Sequence, residues 1–471
     1  MKKLTLIISL LVIATMLLTA CQPAAPATEQ PQAPEQPTEQ PKPEEPTPQQ
    51  PAAEKPAEPM PAAGAAINKE ACQGANLKFL TIQPHNVAAQ NLQTWFQEAS
   101  GAQVELIVVP YDNVIEKAVL DVTSGANEID VVEYWYPGLG TLVENNVLEN
   151  LDQWYADNAS WIKADDFFPT YFDTFTKIGD SRYGIPYDGD MHLLWYYKPL
   201  FEKYSLQPPK TWDEYLNACK TITEGEKGNA YGCAIMGAKI PLILIGTYLN
   251  RLGSYGGSFF DAQGKPTINS PEAVAALEGL VEQSKYALPT ASAVAFDEAL
   301  GGWFTGKVGM VEFWTDLGSM TNDPASSKIG GQWGVVPLPK GPGDKGKVVA
   351  SVNAGFAIGV STGSKNKACA MEFVKFVADP ETAKRYNTVV GGIDPARQST
   401  LEDPKFIEFV GKEVADAIRE AHKNAVVWPT SALWFKLQEP LNDNLSLALS
   451  GQKTPQQALD DTQKAWEDLL K

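Results

Sequence analysis

Histidine and cysteine are scarce in this 471-residue chain, which has three His and five Cys. The histidines are scattered along the sequence, and no two cysteines have C-x-x-C spacing. A structural zinc site needs four such ligands brought close together, so these patterns do not predict one. The H-E-x-x-H motif of zinc peptidases is also absent. We therefore expect no metal, no cofactor and no catalytic residue.

Positive charge is in the minority, with 38 Lys and Arg against 57 Asp and Glu and a formal net charge of −19. Such a surface repels nucleic acid, so we expect no nucleic-acid partner. A long apolar run occurs only at the start of the chain. The remaining chain is longer than one core usually accommodates, which favours a body of two lobes.

Residues 1–21 have the order of a secretory signal: Lys2 and Lys3, an apolar core from Leu4 to Leu18, and small residues before Cys21. The cysteine at the cleavage point resembles a bacterial lipobox. That resemblance implies a lipid on Cys21 and anchoring at the outer face of the cytoplasmic membrane. The alternative is an ordinary signal peptide followed by an incidental cysteine.

Residues 22–67 are rich in Pro, Glu, Gln and Ala. This composition buries little apolar surface and predicts a disordered, partly extended tether. Export permits disulfides, and we expect Cys219 to pair with Cys233 rather than remain a free thiol. Cys72 and Cys369 are far apart in sequence and could pair or stay separate.

The first part of the body alternates strands and helices, with strands predicted at 76–82, 103–109 and 129–134 and helices between them. This alternation indicates parallel strand pairing in an α/β sheet. Ligands of open α/β sheets lie beyond the carboxyl ends of the strands. Residues 83–86 and 135–138 would lie at that edge.

Five stretches, in order, then resemble one protein family. The longest is LWYYKPLFEKYSLQPPKTWDEYLNACKTIT at 194–223, and FTGKVGMVEFW at 304–314 is the second. The others are 353–386, GGIDPARQS at 391–399 and GQKTPQQALDDTQKAWEDLL at 451–470. Together they resemble the solute-binding proteins of ATP-driven importers, in the carbohydrate-binding group that includes maltose-binding protein.

The resemblance implies an α/β, type II periplasmic-binding-protein-like fold, with two lobes, each a mixed sheet flanked by helices, and hinge crossovers between them. Residues 68–187 and 352–398 would form the first lobe, and 188–351 and 399–471 the second. The implied protein is a monomer that closes on a carbohydrate and delivers it to the membrane permease of an ABC importer.

Aromatic rings suit the apolar faces of sugars, and carboxylates and amides suit their hydroxyl groups. The aromatic and polar residues at predicted strand ends, with glycines that admit close backbone approach, are therefore candidates. By the resemblance and this chemistry, the candidate ligand contacts are Trp434, Trp135, Trp314, Asp190, Asp188, Gln83, His85, Glu312, Asp316, Gly355, Gly391 and Gly392.

The class of solute is left open by the sequence, because proteins with a lobe fold of this type also bind polyols and glycerol phosphates. No cluster of Arg or Lys accompanies the aromatic candidates, which argues against phosphate esters. A secreted glycoside hydrolase is a further alternative, because two carboxyl groups in a sugar cleft are what that chemistry requires.

Overall fold

The computed structural model describes residues 67–471. The predicted signal segment, Cys21 and nearly all of the predicted tether lie outside the described residues. Within residues 67–471, no helix combines the length and the apolar character needed to span a bilayer.

Two five-stranded sheets form the framework. The first has the strand order β2-β1-β3-β11-β6, and the second has the order β12-β10-β7-β8 with β9 also paired to β7. The strands are β1 Asn76–Ile82, β2 Gln103–Val109, β3 Val131–Trp135, β4 Lys177–Ile178, β5 Ser181–Arg182, β6 Ile185–Asp188, β7 His192–Tyr197, β8 Met310–Trp314, β9 Trp333–Val336, β10 Ala350–Ser351, β11 Phe356–Val360 and β12 Ala425–Val426.

Helices cover both sheets. They are α1 Asn86–Ser100, α2 Val114–Thr123, α3 Leu139–Glu144, α4 Asp152–Asp157, α5 Ala159–Ile162, α6 Pro169–Thr174, α7 Lys198–Lys203, α8 Trp212–Glu226, α9 Pro241–Ser254, α10 Pro271–Ser284, α11 Phe296–Phe304, α12 Leu317–Asn322, α13 Lys367–Val377, α14 Pro380–Tyr386, α15 Gln398–Leu401, α16 Pro404–Val410, α17 Lys412–Ala421, α18 Trp434–Leu449 and α19 Pro455–Leu469.

The first sheet is parallel where the chain alternates strand and helix. β1 pairs in parallel with β2 and with β3, as the alternation predicts. β11 then runs antiparallel to both β3 and β6, so the complete sheet is mixed. The five β11 residues are all buried, and helix α13 packs beside this strand.

Two short segments carry the chain between the sheets. Residues 189–191 lead from β6 to β7, and residues 352–355 lead from β10 to β11. The side chain of Asn353 lies 3.1 Å from Nδ1 of His192 and donates a 3.1 Å hydrogen bond to Asn250. His192, the first residue after the other crossover, lies 3.0 Å from the side-chain nitrogen of Asn250, so α9 contacts the second crossover and the start of β7. The strands are divided between the sheets in line with the predicted lobes, whose boundaries stay predictions.

Two disulfides lie in the body. Cys219 in α8 is joined to Cys233, with 5.3 Å between their Cα atoms. Cys72 is joined to Cys369 in α13, with 4.6 Å between their Cα atoms. The second bond links the start of the described chain to the helix that packs beside β11.

The segment YGCAI at 231–235 predicts a further strand through its Tyr and Ile, and this prediction is wrong. Residues 231–235 make only isolated bridges, in which Tyr231 pairs with Val308 and Ala234 with Val311. Their β-branched and aromatic content favours an extended chain, but no neighbouring segment runs beside them for long enough to form a ladder.

Candidate functional site

A cavity of about 220 Å³ lies between the two sheets. The first sheet contributes the carboxyl ends of β1 and β6 and the start of β11, and the second contributes the carboxyl end of β8. Helices α11 and α12 and the start of α9 complete the wall. The lining residues, which we call the cleft wall, are Ile82, Pro84, His85, Tyr111, Asp188, Asp190, Leu242, Phe296, Leu300, Phe313, Trp314, Asp316, Met320, Ala354, Phe356, Gly392, Ile393 and Asp394.

His85 is fixed by a buried chain of polar contacts. Its Nδ1 lies 2.5 Å from Oε1 of Glu133 in β3, and the other oxygen of Glu133 accepts a 2.5 Å hydrogen bond from Thr81 in β1. Burial lowers the pKa of His85, but the carboxylates of Glu133, Asp188 and Asp394 outweigh it and raise the pKa to about 9. The raised pKa favours the imidazolium form at neutral pH, in which Nδ1 donates to Glu133 and Nε2 carries a proton toward Asp188.

Asp188 faces this imidazolium from the end of β6. One carboxylate oxygen accepts a 2.7 Å hydrogen bond from the backbone N–H of Asp394, and the other lies 3.6 Å from Nε2 of His85. That second oxygen is buried and accepts no hydrogen bond. Burial raises the pKa of Asp188 to about 7, although His85 works against it.

The pKa values of two further carboxyl groups on the cleft wall are also raised. Burial, followed by repulsion from Asp188 and Asp394, raises the pKa of Asp190 well above its usual value. Burial and the same two neighbours raise the pKa of Asp316 to about 8. Closely placed carboxyl groups in a low dielectric cannot all ionise cheaply, so this part of the wall retains protons near neutral pH.

Aromatic rings form much of the opposite wall. Trp314 is 7 % exposed and packs edge-on against His192 and Phe313. Its indole N–H has no hydrogen-bond acceptor. From the first sheet, the ring of Phe356 lies edge-on to His85 with 4.7 Å between centroids. Rings and carboxyl groups thus meet across one small space.

Six of the candidate residues predicted from sequence share the cleft wall. They are His85, Asp188, Asp190, Trp314, Asp316 and Gly392. They come from both sheets and from the loop after α14, so tertiary folding brings them together.

The other two tryptophan candidates lie outside the cleft wall. Trp434 is 0 % exposed and packs against Phe259, Trp428 and Trp466 in the core. Trp135 packs against Trp428. Their role as ligand contacts stays a prediction.

The remaining candidates also lie outside the cleft wall. Glu312 is buried in an ion pair with Arg251, with 2.7 Å between Oε1 and Nη2. Gly355 has a φ of +113°, and an added Cβ would lie 2.4 Å from the ring of Phe175. Gln83 is exposed at the end of β1, and Gly391 takes a φ of +72° beside Val87.

Several residues of the cleft wall were not predicted. Phe313 directly precedes Trp314 on a buried strand, and Phe356 begins another, so both resemble core residues in sequence. Asp394 belongs to the GGIDPARQS motif and was available to sequence reasoning. Tyr111 follows β2 at the carboxyl edge where ligands are expected.

A metal ion is the one inorganic group that this geometry could admit. Donor atoms of His85, Asp188 and Asp190 all lie within 4.8 Å of one another. A metal-binding imidazole must offer a lone pair, whereas His85 is placed between two carboxylates that favour its protonated form. The arrangement therefore fits a charge-paired imidazolium better than a metal ligand.

Residues 82–384 match the family described as bacterial extracellular solute-binding protein. The chain belongs to this family. The cleft wall between the two sheets is the candidate ligand site of this solute-binding protein.

Curated relatives cover most of the chain. One, from Sinorhizobium fredii, is described as a probable amino-acid ABC transporter periplasmic-binding protein y4oP; it is 27% identical over 382 residues, covering 80% of this chain and 84% of the relative. A mannitol-binding protein from Pseudomonas aeruginosa is 25% identical over 366 residues, covering 71% of this chain and 80% of that protein.

Solved structures support the same fold. The maltose-bound MalE3 of T. maritima has a TM-score of 0.74 and 25% identity, with coverage of 84% of this chain and 100% of that one. A solute-binding protein from Agrobacterium radiobacter, solved with ribitol, has a TM-score of 0.74 at 24% identity, covering 83% of this chain and 98% of that one. The predicted two-lobe α/β fold is confirmed.

Proposed function

We propose that this solute-binding protein takes up a small polyhydroxylated solute, a monosaccharide or a polyol, outside the cytoplasm and delivers it unchanged to an ABC importer. The observation that carries the proposal is the cleft wall, where aromatic rings face carboxyl groups across one cavity. Rings pack against the C–H faces of such a solute, and carboxyl groups bind its hydroxyls.

The size of the cavity favours a single sugar unit. At about 220 Å³ it is smaller than the roughly 300–1,000 Å³ typical of pockets for drug-sized ligands. A long oligosaccharide would need a groove open at one end. Mannitol, named for the Pseudomonas relative, and ribitol, bound in the Agrobacterium structure, are polyols of this size and support the proposal.

Delivery would depend on movement of the two sheets about the crossovers 189–191 and 352–355. A solute that contacts both sides of the cavity binds the closed arrangement more tightly and so shifts the population toward it. The permease would then recognise the closed form. We also propose that Cys21 carries a lipid and that residues 22–67 hold the body away from the membrane.

A hydrolase is the second candidate, because the raised pKa values of Asp188 and Asp316 suit a proton donor. The sequence also contains GVSTG at 359–363, which fits a nucleophilic-serine pattern. Ser361 is fully buried, however, and its hydroxyl oxygen accepts from the N–H of Gly363. Binding without turnover is therefore the function that the geometry supports best.

The test is a thermal-shift panel of monosaccharides and alditols on the full chain. A bound solute stabilises the folded state by RT ln(1 + [L]/Kd), so we expect a raised midpoint with at least one member. Trp314→Ala should remove that shift. Trp154→Ala is the matched control, since Trp154 is partly buried outside the cleft wall. No shift with any member, or an undiminished shift in Trp314→Ala, would contradict the proposal.

A further inference from the structure

The cleft wall contains an imbalance of charge. Four carboxyl groups line it, on Asp188, Asp190, Asp316 and Asp394, and none of the lining residues is Lys or Arg. The only basic group is His85, whose Nδ1 is already 2.5 Å from Glu133 behind the wall. The wall therefore has more acidic groups than its own residues can neutralise.

Neutral hydroxyl groups do not correct this imbalance. A hydroxyl can donate to a carboxylate, but it adds no charge to offset repulsion among several carboxylates in a buried space. A cation supplied by the solute would remove both the repulsion and the unpaired burial of negative charge. Burial and mutual repulsion raise the pKa values of Asp188 and Asp190, and a positive charge beside them would lower both.

Three buried polar atoms at the wall lack hydrogen-bond partners. They are Oδ2 of Asp188, in a residue that is 1 % exposed, Oδ1 of Asp316 and the indole nitrogen of Trp314. Buried polar groups of native proteins are nearly always paired, so all three atoms point to a ligand. Two acceptors and a donor together indicate a solute with donor groups at one position and an oxygen acceptor at another.

The aromatic rings of the wall also favour a cationic solute. Rings of Tyr111, Phe296, Phe313, Trp314 and Phe356 lie on the cleft wall. The face of an aromatic ring attracts a cation, and the attraction grows when water is removed. Carboxyl groups and ring faces are the combination that recognises organic ammonium groups.

Building on the proposed function, we propose that the solute is cationic: an amino sugar or amino alditol whose protonated amine is held by Asp188 and Asp190. Its hydroxyl groups meet the remaining polar atoms of the wall, and its C–H face packs on Trp314. Anionic solutes such as sugar phosphates would add repulsion and are excluded by the same charges.

The test is a set of matched binding titrations with the full chain by isothermal calorimetry at pH 7. Each amine is compared with the neutral solute of the same stereochemistry: glucosamine, galactosamine and mannosamine with glucose, galactose and mannose, and glucamine with sorbitol. The N-acetylated amino sugars keep the substituent and remove the charge. We expect at least one amine to bind ten-fold or more tightly than both of its uncharged counterparts.

The outcomes separate the two proposals. Equal or tighter binding of the neutral solutes would overturn the proposal that the solute is cationic. The proposed function would be unaffected by that result. Binding of Mn²⁺ alone, without an organic solute, would assign the carboxyl groups to a metal and also overturn it. An absence of binding by every member would contradict both proposals.

A charge-removing variant gives an independent readout. Asp190→Asn keeps the shape of the side chain but removes its charge and turns one acceptor oxygen into a donor, and we expect it to reduce the amine-to-neutral affinity ratio at least ten-fold. Asp316→Asn is the second variant should Asp190→Asn fold poorly. Asp297→Asn, an exposed acid in α11 outside the cleft wall, should leave the ratio unchanged. A ratio unchanged in both cleft variants would overturn the proposal.

Discussion

Nδ1 of His85 lies 2.5 Å from Oε1 of Glu133, joining the end of the first strand to the middle of the third beneath the cavity. This contact determines the charge of the only basic side chain on the cleft wall. It also presents Nε2 of His85 toward Asp188, so the ring connects the interior of the first sheet with the proposed ligand site.

Glu133→Gln should neutralise His85. Burial lowers the pKa of this ring and the carboxylate of Glu133 is the strongest opposing influence, so its loss should lower the pKa of His85 markedly from about 9. The measurement is a pH titration of histidine resonances by NMR, which is tractable with three His in the chain.

The other two histidines are internal controls for this titration. Burial lowers the pKa of both His192 and His422 to about 3, so neither should titrate between pH 5 and 9. A His85 resonance that still titrates near pH 9 in Glu133→Gln would contradict the assignment of its charge to this contact.

Stability should fall as pH rises through two windows. The unfolded Asp188 loses its proton near its ordinary value of 3.8, whereas the folded group keeps it to about pH 7, so the folded state binds more protons between these values. For His85, with its pKa raised from 6.5 to about 9, the stabilisation is complete below pH 6.5 and is lost as pH rises to 9.

Asp188→Asn removes one contribution to the first window, to which Asp190 and Asp316 add in the same direction because their pKa values are also raised. The fall in melting temperature between pH 4 and pH 7 should be several degrees smaller in this variant than in the parent chain, because the buried group no longer ionises. Asp297→Asn should reproduce the parent profile. Parallel profiles for Asp188→Asn and the parent would show that this carboxyl group is not perturbed.

The two disulfides should contribute unequally to stability. The bond between Cys72 and Cys369 spans 297 residues and that between Cys219 and Cys233 spans 14. Loop-closure entropy then gives about 5–6 kcal/mol for the first and about 3 kcal/mol for the second. Urea unfolding of the two double Cys→Ser variants compares them directly, and a larger loss from the shorter loop would contradict this ranking.

Substitutions of Trp314 and Trp434 should have different effects, the first mainly on solute affinity and the second mainly on the free energy of unfolding. Trp434 is wholly buried in an aromatic cluster, so Trp434→Ala should lower the free energy of unfolding by about 3–5 kcal/mol. The milder Trp434→Phe should keep the solute affinity within about three-fold, while Trp314→Ala should lower it more than ten-fold. Loss of binding in Trp434→Phe would instead support the sequence-based prediction that Trp434 contacts the ligand.

Local sequence patterns were sufficient for the outer part of the first sheet. Strands β1 and β2 have the predicted bounds, because each is a run rich in aliphatic residues that ends at a polar residue or a proline. Helix α1 lies between them, as the amphipathic repeat of that segment predicts. Helix α9 escaped prediction because nearly all of its residues are buried, so it has no polar face to reveal its period.

Site residues could be predicted from the sequence only where the residue type itself suggested contact with a ligand. Asp188 and Asp190 lie on an extended crossover with proline and glycine nearby, a context in which carboxyl groups rarely serve a core. Phe313 and Phe356 are apolar residues of buried strands, and only the approach of the two sheets gives them a ligand-facing role. Trp434 is the opposite case: it was predicted to contact the ligand but is enclosed by the rings of Phe259 and Trp466. Its position at the start of α18 gives no sign of these contacts in the sequence.

The most direct test of the account is a binding titration with recovery of the solute. The full chain is titrated with the solute that gives the largest thermal shift, the complex is denatured, and the released solute is analysed by mass spectrometry. The account predicts one solute per chain, recovered chemically unchanged, and no uptake by Trp314→Ala. A converted product, or full uptake by that variant, would contradict it.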